Sequence, residues 1–188
     1  MGRFSLIFLI ALAGCAPLRI AVAPAALSQS LPVNQFKLDG RISVKTETQQ
    51  VSGNLVWQRQ AHEELLLLSG PLGQGAAEIR RQGEGLTLTA ADGTTVTETS
   101  DERLLERLLG LRLPLDGLVW WLSALPRPEV PFQAQADEVG RVATLDQDGW
   151  HIEYSRYQER GGRWLPGRVF AHRDAIEFRL VVDVWETQ

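Results

Sequence analysis

Cys15 is the only thiol in this 188-residue chain, so sulfur chemistry is confined to one position and no intramolecular disulfide can form. Three histidines could act as bases or ligands, yet none sits in a motif that would make it one. His62-Glu63-Glu64 lacks the second histidine of a metalloprotease helix. His151 and His172 fall in strand-like stretches whose alternation turns their side chains outward. Gly70-Pro71-Leu72-Gly73-Gln74-Gly75 has the glycine content of a phosphate loop without its Gly-Lys-Ser/Thr ending, and no helical pattern follows it. A hairpin loop between residues 65–68 and 76–79 accounts for it. The serines stand outside any nucleophile elbow, and Asp137-Glu138 and Asp146/Asp148 read as solvated turns. These residues argue against an enzyme, and no metal or nucleotide cofactor is expected.

The surroundings of Cys15 give its chemistry a direction. Arg3 supplies a positive start, and residues 4–12 (FSLIFLIAL) form an apolar run too short to span a bilayer, which needs about 20 residues. Leu12-Ala13-Gly14-Cys15 follows. This looks like a bacterial lipobox, and the resemblance implies diacylation of the Cys15 thiol, cleavage before it and acylation of the new amine. By similarity to lipoprotein sorting patterns, Ala16 after the cysteine implies passage to the outer membrane, with the anchored protein facing the periplasm. Residues 1–14 are then a lipoprotein signal peptide, residues 15–30 a lipidated N-terminus and tether, and residues 31–188 a single domain. Removing Arg3 with the leader takes the net charge from −4 to −5. A mildly acidic body is a poor fit to nucleic acid or to an anionic lipid surface.

From Phe36 onward the chain alternates. Phe36, Leu38, Gly40, Ile42 and Val44 share one face, and Val51, Gly53, Leu55 and Trp57 repeat the period of two. Residues 65–68 are apolar on both faces. Ala77/Ile79, Leu86/Leu88 and Val96 continue, punctuated by Gly83-Glu84-Gly85 and Asp92-Gly93. Trp150/Ile152/Tyr154, Val169 and Ile176/Phe178/Leu180/Val182/Val184 close the series. Short strands and tight turns predict a mainly β (α+β) antiparallel meander, a sandwich or a barrel. Two helices interrupt it. Thr99-Ser100-Asp101-Glu102 offers a capping box ahead of the stripe Leu104, Leu105, Leu108 and Leu109, with Gly110 as the stop. The second starts near Pro114, carries Leu115, Leu118, Val119 and Leu122 on one face, and ends at Pro126 and Pro128. Both must lay their apolar faces on the sheet, over either a filled core or a hydrophobic cavity.

Specific residues narrow this choice. Leu38-x-Gly40-Arg41-Ile42, Gly53-x-Leu55-x-Trp57, Gly70-Pro71-Leu72-Gly73, Gly110-x-x-Leu113-Pro114 and Trp121-Leu122 with Pro126 occur in order. Gln147-x-Gly149-Trp150-x-x-x-Tyr154, Leu165-Pro166 and Trp185 complete the set. In this pattern the chain resembles the LolB family of outer-membrane lipoprotein-localisation receptors, with Ala124 departing where glycine is expected. The resemblance implies an unclosed antiparallel β-barrel with a helical lid over an apolar cavity. It implies partners as well: the periplasmic carrier LolA, the acyl chains of client lipoproteins, and outer-membrane lipid. Leu72 matches the protruding leucine that the family uses in membrane insertion. The expected cavity residues are Leu38, Ile42, Leu55 and Trp57 from the early strands, and Leu118 and Leu122 from the second helix. Trp150, Ile152, Ile176, Phe178, Leu180 and Val182 join them from the late strands.

Six tryptophans are to be placed. Trp57, Trp150 and one of Trp120 and Trp121 are expected in the core, since adjacent helical residues cannot both face inward. A monomer without a nucleic-acid partner is expected. The alternative reading is a lipid-anchored envelope scaffold or sensor with a filled β core that binds protein partners.

Overall fold

The structure is a computed structural model that describes residues 20–21, 27, 30–61, 63–75, 77–83, 85–109 and 115–187. Cys15, His62 and the Gly110–Pro114 junction lie outside the described residues.

The alternating stretches form strands. The first half of the chain gives β1 (Ile20–Ala21), β2 (Phe36–Lys45), β3 (Gln50–Gln60), β4 (Glu63–Ser69), β5 (Ala77–Gln82), β6 (Gly85–Thr89) and β7 (Thr95–Glu98). The helices α1 (Asp101–Leu109) and α2 (Leu115–Leu122) follow. The second half gives β8 (Phe132–Ala136), β9 (Val142–Gln147), β10 (Trp150–Ser155), β11 (Gln158–Arg160), β12 (Arg163–Leu165), β13 (Arg168–Arg173) and β14 (Ile176–Thr187). Twelve strands make one antiparallel sheet in the order β1-β8-β9-β10-β13-β14-β2-β3-β4-β5-β6-β7, while β11 and β12 pair separately. Its outer strands, β1 and β7, do not pair with each other, so the sheet is open. Among the described residues no helix is long and apolar enough to cross a membrane.

The pairing of β1 with β8, Ile20 opposite Ala136 and Ala21 opposite Gln135, engages part of the segment read as tether. Leu27 also packs against the core. Backbone groups of an otherwise exposed edge account for the first contact: β8 offers an unpaired row that the preceding chain can fill.

Period two predicts burial well in β2, where Phe36, Leu38, Ile42 and Val44 are all buried. It fails at two ends. Val51 is 38% exposed, because β4 pairs with β3 only from Asn54 onward and leaves residues 50–53 without a strand partner on that side. Val184 is 41% exposed and Trp185 is buried instead, since a bulge between Val182 and Val184 shifts the register by one residue. The shift brings Trp185 against Phe36, which also meets Trp57, both at ring-centroid distances of 5.5 Å in edge-to-face geometry. Two glycines of the early strands are dictated by close approach. A Cβ on Gly40 would lie 2.4 Å from the Val181 carbonyl oxygen, and one on Gly53 would lie 2.1 Å from that of Ser69.

The helix ends differ from the sequence expectation in instructive ways. Ser100 is the N-cap of α1, its Oγ accepting from Arg103 N at 3.4 Å, but the third helical position is Arg103 and no reciprocal glutamate closes a capping box. Asp101 accepts from Glu102 N at 3.1 Å and from the Leu115 N–H at 2.8 Å, tying the start of α2 to the start of α1. Helix α2 stops before either proline. Leu125 N donates to Trp120 O and Ala124 N to Trp121 O, both at 3.0 Å, and Ala124 takes φ 54°. This is a Schellman ending with alanine in the left-handed position that glycine usually fills.

Two buried polar side chains hold the helices to the sheet. Gln147 on β9 accepts from Trp121 Nε1 (2.9 Å) and Arg127 N (2.8 Å), and donates to the carbonyls of Arg127 and Val130. Trp121 is thereby the inward member of the tryptophan pair. Glu64 on β4, 3% exposed, accepts from Trp57 Nε1 (2.8 Å), Arg59 Nη1 (3.2 Å) and Arg81 Nε (3.0 Å). The same arginines reach the helices: Arg59 Nη2 meets Asp116 at 2.8 Å and Arg81 Nη2 meets Asp101 at 3.5 Å.

Truncating Glu64 strips two guanidinium groups and an indole N–H of their shared acceptor. Glu64→Ala is expected to cost about 3 kcal/mol of unfolding free energy. Asp116→Ala, whose carboxylate is largely exposed, should cost no more than about 1 kcal/mol. Urea unfolding followed by tryptophan fluorescence measures both, and comparable losses would overturn the ranking.

Candidate functional site

An apolar cavity lies between the sheet and the two helices. Ile42, Leu55, Trp57, Leu66, Leu68, Phe178 and Leu180 line it from β2, β3, β4 and β14. Leu105 of α1 and Leu115, Leu118 and Leu122 of α2 complete the lining. Among the described residues no lining side chain is charged. The one polar atom among them, Trp57 Nε1, is directed to Glu64. The cavity measures about 30 Å³.

The inward faces legible in the sequence therefore converge only in part. Ile42, Leu55, Trp57, Leu118, Leu122, Phe178 and Leu180 meet at the cavity. Leu38, Trp150, Ile152 and Val182 are buried elsewhere in the core, and Ile176 is half-buried at the start of β14. Trp150 is filled in by Trp121, whose ring centroid stands 6.1 Å away. A strand reading assigns a face but not a position along it, so cavity and filled core look alike in sequence. Leu66, Leu68, Leu105 and Leu115 were not among the expected lining residues. Leu105 and Leu115 stood in the helical stripes, whereas the two-faced run at residues 65–68 hid which of its leucines turn inward.

The second feature is the loop between β4 and β5. Gly70 N donates to Gln74 O at 2.9 Å and Gly73 N to Gly70 O at 2.8 Å, closing a tight turn in which Gly73 takes φ 81°. Asn54 Nδ2 pins its base through the Gly70 carbonyl at 3.2 Å. At the tip Leu72 is 90% exposed. It lies four residues beyond Leu68, the last cavity residue of β4, a chain length of at most about 14 Å. A leucine held in water on a braced loop gains by entering an apolar phase, by about 1.5–3 kcal/mol on full burial.

The comparisons with known proteins agree with this architecture. The family model described as Outer membrane lipoprotein LolB matches residues 34–185. An outer-membrane lipoprotein LolB of Pseudomonas aeruginosa is 38% identical over 155 residues, 82% of this chain and 75% of that protein. One of Pseudomonas putida is 37% identical over 160 residues, 85% of this chain and 78% of that protein. Among solved structures, a LolA-superfamily protein from Nitrosomonas europaea superposes with a TM-score of 0.56 at 9% identity, covering 89% of this chain and 94% of that one. A DUF1329 family protein from Desulfovibrio piger gives a TM-score of 0.53 at 7% identity, covering 88% and 90%. The structural likeness carries the fold, a mainly β open antiparallel sheet with two short helices. The sequence match, extending over most of the body, carries more: the chain belongs to the LolB family.

Proposed function

We propose that this chain is an outer-membrane receptor, anchored through lipidated Cys15, that accepts lipoproteins from the periplasmic carrier LolA and inserts them into the inner leaflet of the outer membrane. The observation that carries this reading is the uncharged cavity enclosed between both helices and the sheet. It is the environment an acyl chain requires. A triacylated client exposes about 45 methylenes, each costing about 0.8 kcal/mol in water, or roughly 35 kcal/mol in all. Only a continuous apolar path makes transfer across an aqueous space feasible, and affinity that rises from carrier to receptor to membrane supplies the direction without nucleotide chemistry.

A cavity of about 30 Å³ is too small for that cargo, since ordinary ligand sites occupy roughly 300–1,000 Å³. Loading therefore requires α1 and α2 to move off the sheet as a lid. One attachment suits such a motion: the ion pair of Asp116, whose carboxylate is largely exposed, sits at the start of α2, where water replaces it at low cost. Leu72 acts at the following step, biasing the tethered mouth toward the bilayer.

Leu118→Glu places a carboxylate in the cavity wall and is expected to weaken binding of a triacylated lipopeptide at least tenfold. Intrinsic tryptophan fluorescence, to which Trp57 in the cavity wall contributes, reports the titration, and circular dichroism confirms that the variant is folded. Undiminished affinity in a folded variant would favour a filled core that binds protein instead.

Two further outcomes separate anchoring from delivery. Cys15→Ser should release the protein from membranes and abolish its labelling by radioactive palmitate; persistent labelling would refute the anchor. In that soluble background, Leu72→Glu should still take lipoprotein from the carrier but pass little of it to liposomes. Normal delivery to liposomes would remove the loop from the mechanism.

A further inference from the structure

The face of the sheet opposite the cavity carries a cluster that the linear sequence scatters. His151 on β10 and His172 on β13 stand directly opposite each other in the antiparallel register, their ring centroids 5.2 Å apart. Glu153 lies two residues along β10, so it projects from the same outer face as His151. One ring nitrogen of each histidine and a carboxylate oxygen of Glu153 all lie within 4.8 Å of one another. We propose that His151, His172 and Glu153 bind a borderline first-row divalent cation such as zinc, in a site separate from the lipid cavity.

The geometry and the donor set both point there. Three ligand atoms around a tetrahedral zinc at about 2.1 Å stand roughly 3.4 Å apart, so side-chain rotations that close the cluster by little more than an ångström complete the site. The backbone needs no change, because all three donors rise from two paired strands near the middle of the sheet. Two imidazoles with one carboxylate select zinc, nickel or copper over calcium and magnesium, which take oxygen donors. The outer coordination is also in place. Asp146, opposite His151 on β9, meets His151 Nδ1 at 2.6 Å. A carboxylate holding the proton on Nδ1 fixes the ring and leaves Nε2 with its lone pair for the cation.

Three cations near the cluster are engaged elsewhere. Arg179 pairs with Glu177 at 2.8 Å and lies over the Phe170 ring, Lys45 also meets Glu177, and Arg173 lies over the Trp150 ring. Glu153 makes no ion pair among the described residues and is exposed, so binding a cation would cost it no existing partner. Three protein donors leave one position open for water, so the ion would bridge β10 and β13 while remaining accessible.

The test is a zinc titration of the full-length protein in detergent, read by competition with a chromophoric chelator and by the thermal unfolding midpoint. The wild type should take up one equivalent of zinc, and its midpoint should rise with zinc but not with calcium. His151→Ala and His172→Ala should each lose uptake and the midpoint rise, and Asp146→Asn should weaken uptake about tenfold. His62→Ala should match the wild type. Because the altered residues are on the surface, midpoints without zinc should coincide, which separates lost binding from lost folding. Absence of saturable uptake, or uptake that survives in the His151→Ala/His172→Ala double variant, would overturn the site.

Discussion

An open twelve-stranded sheet with one apolar face must hide that face from water, and here the described helical cover amounts to nine residues in α1 and eight in α2. That shortage organises the rest of the molecule. Helices so short have no stability of their own and persist only where the sheet holds them. The sheet does so with buried polar groups whose hydrogen bonds are met on several sides. Gln147 grips the end of α2 through Trp121 and the chain beyond it. Glu64, through Arg59 and Arg81, grips the starts of both helices. Between these two fixed points lies the cavity, whose described lining is apolar.

The two grips differ in kind. The Gln147 amide is neutral, buried and engaged through both its oxygen and its nitrogen. Breaking it strands donors and acceptors in a dry environment. The arginine bridges end instead on carboxylates that face solvent to differing degrees. Opening that end exchanges ion pairs for hydration. The fold thus has a firm end and a yielding end built from the same two helices, and the left-handed Ala124 with its Schellman hydrogen bonds lies at the firm one.

Much of this was legible in the residues, for reasons that also explain what was not. Alternation reports which face a strand residue takes, and in β2 and β10 burial follows it residue by residue. A bulge is a backbone event without a residue-type signature in β14, so Val184 and Trp185 exchanged roles unannounced. Glu64 sits in a run, His62-Glu63-Glu64, that reads as polar surface. Its burial depends on arginines contributed by β3 and β5, and pairing between strands is not encoded at any fixed spacing. The same holds for His151 and His172, which are 21 positions apart and meet only through the β10–β13 register. Leu72, by contrast, was conspicuous: an apolar side chain among glycines has no neighbour to bury it.

The small volume of the cavity, about 30 Å³, has a consequence for the proposed retention of cargo. On the proposed reading, part of a cargo's interaction energy goes into moving α1 and α2 off the sheet. Apparent affinity is the intrinsic affinity multiplied by the fraction of molecules already open. Evolution can therefore set residence time by adjusting how the helices are fastened, without altering a single residue that touches the cargo. A rigid, permanently open cup of the same lining would hold its load far more tightly and would release it far more slowly.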